Sequence, residues 1–190
     1  MEHRVQRMAL HLVLVTNFLT IMLMSTANAA TRETHQSLFT YEIESLFPMF
    51  FMGGYHIAAG VRWKDLRVRA SCIDGGHYDY EPNNKQFERN LGTGCGVFLG
   101  YYLWKNLHAY FYVEAQNYIV SDRDTHASKR FDVIDIGPGL GYQYFFYKNT
   151  YIQPAVHLYW RKEQEELVGE TSYTLRNIDI SPTVRIGYRF

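Results

Sequence analysis

The stretch NIDISPTVRIGYRF, residues 177–190, decides how the chain reads. Ile178, Ile180, Pro182, Val184, Ile186, Tyr188 and Phe190 take one face, and Asn177, Asp179, Ser181, Thr183, Arg185, Gly187 and Arg189 the other. Strict alternation of this kind is the mark of a strand with one apolar and one polar surface.

The same pattern recurs upstream. Tyr55, Ile57, Ala59, Val61 and Trp63 oppose His56, Ala58, Gly60, Arg62 and Lys64; after a turn at Lys64-Asp65, Leu66, Val68, Ala70 and Cys72 oppose Arg67, Arg69 and Ser71. A second hairpin turns at Lys105-Asn106, with Leu91 to Leu103 and Leu107 to Ile119 supplying its apolar faces. A third turns at Lys148-Asn149, between Ile134–Phe146 and Ile152–Trp160. Pro138 and Pro154 each remove a ladder donor, so local bulges or weakened pairing are expected there. Sixteen Tyr, twelve Phe and fourteen Gly suit pleated strands and aromatic girdles better than a helical bundle. Nineteen basic and nineteen acidic residues leave no basic field, and no RNA- or DNA-binding motif occurs, which argues against a nucleic-acid partner.

Residues 1–29 read as a signal peptide. Arg4 and Arg7 precede the apolar run Met8 to Met24, and Ala27-Asn28-Ala29 is a small-x-small cleavage site. Beyond it no run approaches the roughly 18 apolar residues that a spanning helix needs. The connections alternate in length: short at the three turns, long and polar at Asp74 to Asn90, Ser121 to Arg130 and Lys162 to Thr174. Short turns on one rim and long loops on the other are the outer-membrane pattern. Closure with an even number of strands requires one more, and Leu38 to Phe51 is the candidate. We read it as a strand (Phe39, Tyr41, Ile43 against Thr40, Glu42, Glu44) ending at Gly53-Gly54. Phe39, Ile43, Leu46, Phe47 and Phe50 also fit an amphipathic helix.

The terminal alternation, closing on an aromatic residue, resembles that of the small bacterial outer-membrane β-barrels, the eight-stranded OmpA- and OmpX-like proteins. The resemblance implies an outer-membrane location in a Gram-negative cell, contact with membrane lipids and lipopolysaccharide, and recognition of the last strand by the barrel-assembly machinery. The fold expected is all-β: a closed, antiparallel up-and-down transmembrane barrel of eight strands, one domain over 30–190.

An eight-stranded lumen holds side chains and little else, which argues against a wide pore. Arg62, Arg67, Arg69, Glu114, Asp135, His157, Asp179 and Arg185 are expected to form its polar network, with Glu42 and Glu44 as further partners for the arginines. Pairing by turn position sets Gly100, Gly96, Gly94 and Gly92 opposite Tyr110, Glu114, Gln116 and Tyr118. It also sets Gly141, Gly139 and Gly137 opposite His157, Tyr159 and Arg161, filling the lumen small against large. His56, His108 and His157 share the interior without an HxxxH or Cys partner, so no metal and no cofactor is expected. Tyr78, Tyr80, Phe87, Arg89, Arg123, Lys129 and Arg130 are loop residues suited to lipid phosphates.

A structural, surface-contact role is the first reading. The alternative is a lipid A-modifying enzyme of acyltransferase or deacylase type, with His77, Asp79, Ser121 and His126 in two outer loops, flanked by Glu81, Asp122 and Asp124. No motif of those enzymes matches this spacing, and solvated loop polarity accounts for the same residues. A soluble periplasmic ligand-binding barrel, apolar inside, is a third. Cys72 and Cys95 flank the first long loop on the outward face; they read as two small lipid-facing thiols, with a disulfide geometrically conceivable.

Overall fold

The computed structural model describes residues 38–77 and 79–190. The signal-peptide expectation for 1–29, and Tyr78, lie outside the described residues. The described chain runs β1 (Phe39–Leu46), α1 (Met49–Met52), β2 (Tyr55–Trp63), β3 (Leu66–Asp74), β4 (Phe87–Trp104), β5 (Leu107–Asp122), β6 (Ser128–Tyr142), β7 (Tyr144–Tyr147), β8 (Thr150–Trp160), β9 (Gln164–Val168), β10 (Thr171–Leu175) and β11 (Ile178–Arg189).

Nine of these strands form one antiparallel sheet in the order β11-β1-β2-β3-β4-β5-β6-β8-β7, and β11 also pairs with β8. β7 pairs with β8 in the same line as β6, so the nine strands fill eight positions of a closed up-and-down barrel. Closure satisfies both edges of every strand position, which is what a spanning sheet requires in lipid.

β1 is the strand expected at 38–51. It is held on both edges, with Glu42 opposite Gly60 on β2 and opposite Arg189 on β11. Its last ladder bond is Phe47 N to Val184 O at 2.9 Å, and Pro48, which has no N–H to continue, turns the chain into α1. The helical spacing in this segment is reduced to that single turn.

Alternation sorts the wall into two surfaces. Leu99 is 58% exposed, Phe111 52% and Ile180 71%, and they stand on the outside with Val97, Val113, Ile134 and Trp160. The inside is polar: Glu42, Glu44, Arg67, Arg69, Asp135, Gln153 and Arg185 are all buried. This is the inverse of a soluble ligand-binding barrel, whose apolar face lines the cavity. A continuous exposed apolar band of this kind suits lipid, not water.

The register of the second hairpin follows the expected pairing at Gly100–Tyr110, Gly96–Glu114 and Gly94–Gln116 and then departs from it. A bulge between Leu91 and Gly94 adds a residue to β4, so Leu91 rather than Gly92 faces Tyr118. Beyond the bulge the alternation flips, and Phe87, Arg89 and Leu91 point inward. The third hairpin differs by two residues: Gly139 faces His157 and Gly141 faces Ala155. One residue of the difference is set at the turn, where Tyr147 pairs with Thr150, and the register shift between Phe145 and Tyr147 adds the other. The size match survives on the other flank of β6, where Gly139 faces Tyr110. A Cβ on Gly139 would lie 2.3 Å from that ring, so the aromatic fills the space only because the glycine leaves it. The β6–β8 ladder has no pairs at Gly137 and Pro138. There the Tyr112 hydroxyl donates to Leu158 O at 2.8 Å.

Each short turn repeats one device. Lys64, Lys105 and Lys148 adopt positive φ (55°, 49° and 41°). Each ammonium lies over the ring just before it, 5.3 Å from Trp63, 4.9 Å from Trp104 and 5.6 Å from Tyr147. Aromatic rings beside cations suit the interface between hydrocarbon and headgroups.

Candidate functional site

Near the short-turn rim the lumen holds an ionic network. Glu42 and Glu44 project from β1 because they alternate with Tyr41 and Ile43. Arg67 lies across from both, at 2.5 Å from Glu42 and in a short contact with Glu44, and Arg69 Nη1 is 2.7 Å from Glu44. Arg189 reaches Glu42 at 2.7 Å. The Tyr151 hydroxyl donates to Glu44 at 2.7 Å, and Gln143 Oε1 accepts from Tyr102 at 2.6 Å and from Arg189 at 2.5 Å. Three arginines thus share two carboxylates, and neutral donors occupy the remaining carboxylate lone pairs. Buried ions are tolerable only when paired and hydrogen-bonded in this way.

Aromatic rings cross the middle of the barrel. Phe98 stacks on Tyr112 at 5.3 Å, and His157 lies parallel to Tyr159 at 5.6 Å. Arg69 sits 4.1 Å from the centre of Phe98. His157 Nε2 is 3.1 Å from the Tyr110 hydroxyl and 3.0 Å from Arg185 Nη2. Glu114 lies beside Asp135 across β5 and β6, and no ion pair holds it among the described residues.

A second ionic cluster sits above the rings. Arg161 pairs with Asp135 and, at 2.6 Å, with Asp179, which Arg89 also approaches at 2.9 Å. Gln116 and the Tyr118 hydroxyl both bond to Asp135.

Above that the chemistry changes. β1, β2 and β3 have 8, 9 and 9 residues, close to the ~9–11 that cross a bilayer, whereas β4, β5 and β6 have 18, 16 and 15. The surplus stands beyond the long-loop rim. Its inward face carries Phe87, Leu91, Tyr118, Val120, Phe131 and Val133, and the β9–β10 hairpin packs Val168, Tyr173 and Leu175 against it. Tyr173 meets Phe87 and Phe131 edge-on at 5.2 and 5.5 Å. Its hydroxyl donates to Glu81 at 2.9 Å, and burial pushes this phenol above its ordinary value. The segment expected as a polar loop, Lys162 to Thr174, is therefore a folded cap.

The remaining candidates fall outside these layers. Arg62 stays at the short-turn rim, donating to Lys64 O at 2.7 Å with its guanidinium 3.7 Å from the centre of the Tyr102 ring. His77 lies beside α1, its N–H bonded to Met52 O at 2.8 Å, and His126 occupies the β5–β6 turn at φ 58°. The two loops do meet, through the Asp79–Arg123 ion pair. No hydrogen bond or ion pair joins His77, Ser121 and His126 among the described residues. In the β5–β6 turn, Asp122 accepts from the backbone of Thr125 at 2.8 Å and of Asp124 at 2.9 Å, which holds its carboxyl below the usual range. Cys72 faces Cys95 across β3 and β4 with Cα atoms 4.1 Å apart, and the two form a disulfide. The reading as two thiols gives way because the register sets both side chains on the same outward face, directly opposite.

Arg161, Arg89, Tyr118, Tyr151 and Gln143 belong to the lumen clusters but not to the network expected from sequence. The alternation of β8 signalled Arg161, the next residue along, whereas the inward turn of Arg89 depends on the β4 bulge.

No protein-family model matches the chain, and no curated protein matches it. Among solved structures it is similar to the N-terminal β-barrel domain of OprF from Pseudomonas aeruginosa, at 14% identity over 80% of this chain and 97% of that one, with a TM-score of 0.49. It is similar to a major outer membrane protein from Thermus thermophilus, at 14% identity over 80% and 98%, TM-score 0.48. The Neisserial surface protein A is similar at 15% identity over 80% and 96%, TM-score 0.44.

Proposed function

We propose that this chain is an integral outer-membrane barrel of a Gram-negative bacterium whose lumen is closed by its own side chains, and which serves a structural and surface-contact role rather than conducting solutes. The observation that carries the reading is the stacking of four obstructions in one lumen: the Glu42–Glu44–Arg67–Arg69 network, the ring layer around Phe98 and His157, the Arg161 cluster and the apolar cap. An exposed apolar wall with aromatic–lysine turns at one rim supports the membrane location.

The test has two arms. Cell fractionation followed by gel migration with and without boiling is expected to find a heat-modifiable band in the outer-membrane fraction; recovery in the soluble periplasm would remove the membrane reading. Purified barrel in planar lipid bilayers is expected to give no steady conductance, and a sustained open level would remove the closed-lumen reading.

A further inference from the structure

The β4 bulge shapes the outside of the barrel as well as the inside. Asn117, opposite the bulge on β5, is only 4% exposed. Its Nδ2 turns along the wall to donate to Thr93 O at 3.0 Å and to Thr93 Oγ1 at 2.8 Å. It can lie flat because Gly92 has no side chain: a Cβ there would come within 1.9 Å of Asn117 Oδ1. Next along the wall, Cys72, Cys95 and Ala115 stand in direct register on adjacent strands, a row of small side chains where neighbouring rows carry Val97, Leu99, Phe111 and Val113. The wall is therefore hollow here, with a recess of about 870 Å³. That lies within the range of about 300–1,000 Å³ common for small-molecule sites.

The recess is graded in polarity. Its floor is the disulfide, Ala115 and Ile134, and its lip toward the long-loop rim carries Arg130, Asp132, Lys162 and Gln164. Gln164 Nε2 donates to Asp132 O at 2.9 Å, fixing the start of β9 against β6. Arg130 Nε is 2.7 Å from Asp132 Oδ1, and no ion pair holds Lys162 among the described residues. Two cations over one carboxylate leave the lip net positive, above an apolar floor that faces hydrocarbon.

We infer that this recess binds a single membrane lipid with an anionic phosphate headgroup, one acyl chain lying over Cys72, Cys95 and Ala115 and the phosphate meeting Lys162 and Arg130. The inference rests on the outer-membrane reading above. Ammonium and guanidinium groups at the edge of the hydrocarbon are the partners a lipid phosphate finds there.

Native mass spectrometry of the purified barrel from detergent micelles tests it, with phosphatidylglycerol, phosphatidylcholine or inorganic phosphate added. One phosphatidylglycerol is expected to be retained at a concentration at least tenfold below that needed for phosphatidylcholine. Lys162→Glu with Arg130→Glu is expected to abolish that preference, and Ala115→Trp to remove retention of both lipids. Ala109→Trp, on the same outer face of β5 nearer the other rim, is expected to leave retention unchanged. Heat-modifiable migration checks folding of each variant, and Lys162→Ala replaces the double variant if that one fails. Equal retention of the two lipids, no effect of the Lys162 variants, an equal effect of Ala109→Trp, or inorganic phosphate bound as tightly as phosphatidylglycerol would each overturn the proposal. The failure of this site is separable from failure of the membrane reading, because fractionation of the unaltered protein does not depend on it.

Discussion

The two ends of the lumen are filled with opposite chemistry. Near the short turns, charged groups meet inside a narrow ring of eight strands; beyond the long-loop rim, β4, β5 and β6 outgrow the bilayer and the β9–β10 hairpin covers their inward face with an apolar core. The difference follows from what surrounds each part. Within the membrane the outer face takes the apolar residues, and alternation leaves polar side chains for the inside. Above the membrane the outside meets water, so the inward face can be apolar, as in a soluble protein. The β4 bulge helps to link the two regimes, because it shifts Phe87, Arg89 and Leu91 to the inside where the barrel emerges.

This contrast predicts a graded set of effects. Glu44→Ala removes a carboxylate shared by Arg67 and Arg69, and stranding buried charge costs ~3–5 kcal/mol. The whole barrel is expected to lose that stability, read as a lowered urea midpoint in the heat-modifiability assay; an unchanged midpoint would mean that water reaches these arginines. Leu175→Ala, at a position with 0% exposure, is expected to cost ~2–4 kcal/mol through lost burial and a residual cavity. Its effect is expected to stay local: faster proteolysis within 162–177, with the barrel still heat-modifiable. If the barrel unfolds together with the cap, the two regions are one cooperative unit.

Smaller again is Tyr173→Phe, which removes the bond to Glu81 at ~1.5–3 kcal/mol for a hydrogen bond to a charged group. It also carries a pH signature. The folded pKa of Tyr173 is raised above the ordinary value of about 10. The stability it contributes is therefore whole below that pH and fades as pH rises toward the folded value. Cap proteolysis is expected to accelerate in that alkaline range in the unaltered protein, and Tyr173→Phe is expected to flatten the dependence. The smallest effect is expected at Asp122, whose carboxyl is held low by the backbone N–H groups of Thr125 and Asp124. Its contribution is present above the ordinary carboxylate pKa and lost as pH falls through the lowered one. Hydrogen exchange of the Thr125 amide between about pH 5 and 2, spanning the ordinary carboxylate range, compared with Asp122→Asn, checks the sign.

Much of the barrel was legible because period-two alternation needs no knowledge of partners. The faces of β2, β3, β5 and β8, the three Lys-containing turns and the strand at Phe39–Leu46 all follow from it, as does the pairing of Glu42 and Glu44 with inward arginines. What escaped was registration wherever a bulge intervenes. One inserted residue near Gly92 inverts the start of β4, and the Tyr147–Thr150 turn pairing together with the irregularity beside it moves Gly139 from Tyr159 to His157; neither changes composition or periodicity enough to be seen locally. The cap escaped for another reason. Val168, Tyr173 and Leu175 are too few among Glu165, Glu166, Glu170, Ser172 and Thr174 to announce two strands, and only the surplus length of β4–β6 gives them a surface to cover. The lumen members Tyr151 and Gln143 are uncharged and carry no signal of their own until Glu44, Glu42 and Arg189 are placed around them.

The buried ion pairs also have a consequence in time. Arg67 lies 25 residues from Glu42 and Arg69 lies 25 from Glu44, Arg161 lies 26 from Asp135 and 18 from Asp179, while Arg189 is separated from Glu42 by 147. Most of the charge is thus neutralised between strands that emerge close together during synthesis. The three-strand meander through β3 already brings Glu42 and Glu44 together with Arg67 and Arg69, so these four groups can pair before the later strands are made. The Arg189–Glu42 contact forms only when the seam between β1 and β11 shuts, and the Arg89–Asp179 pair, 90 residues apart, likewise waits for the last strand.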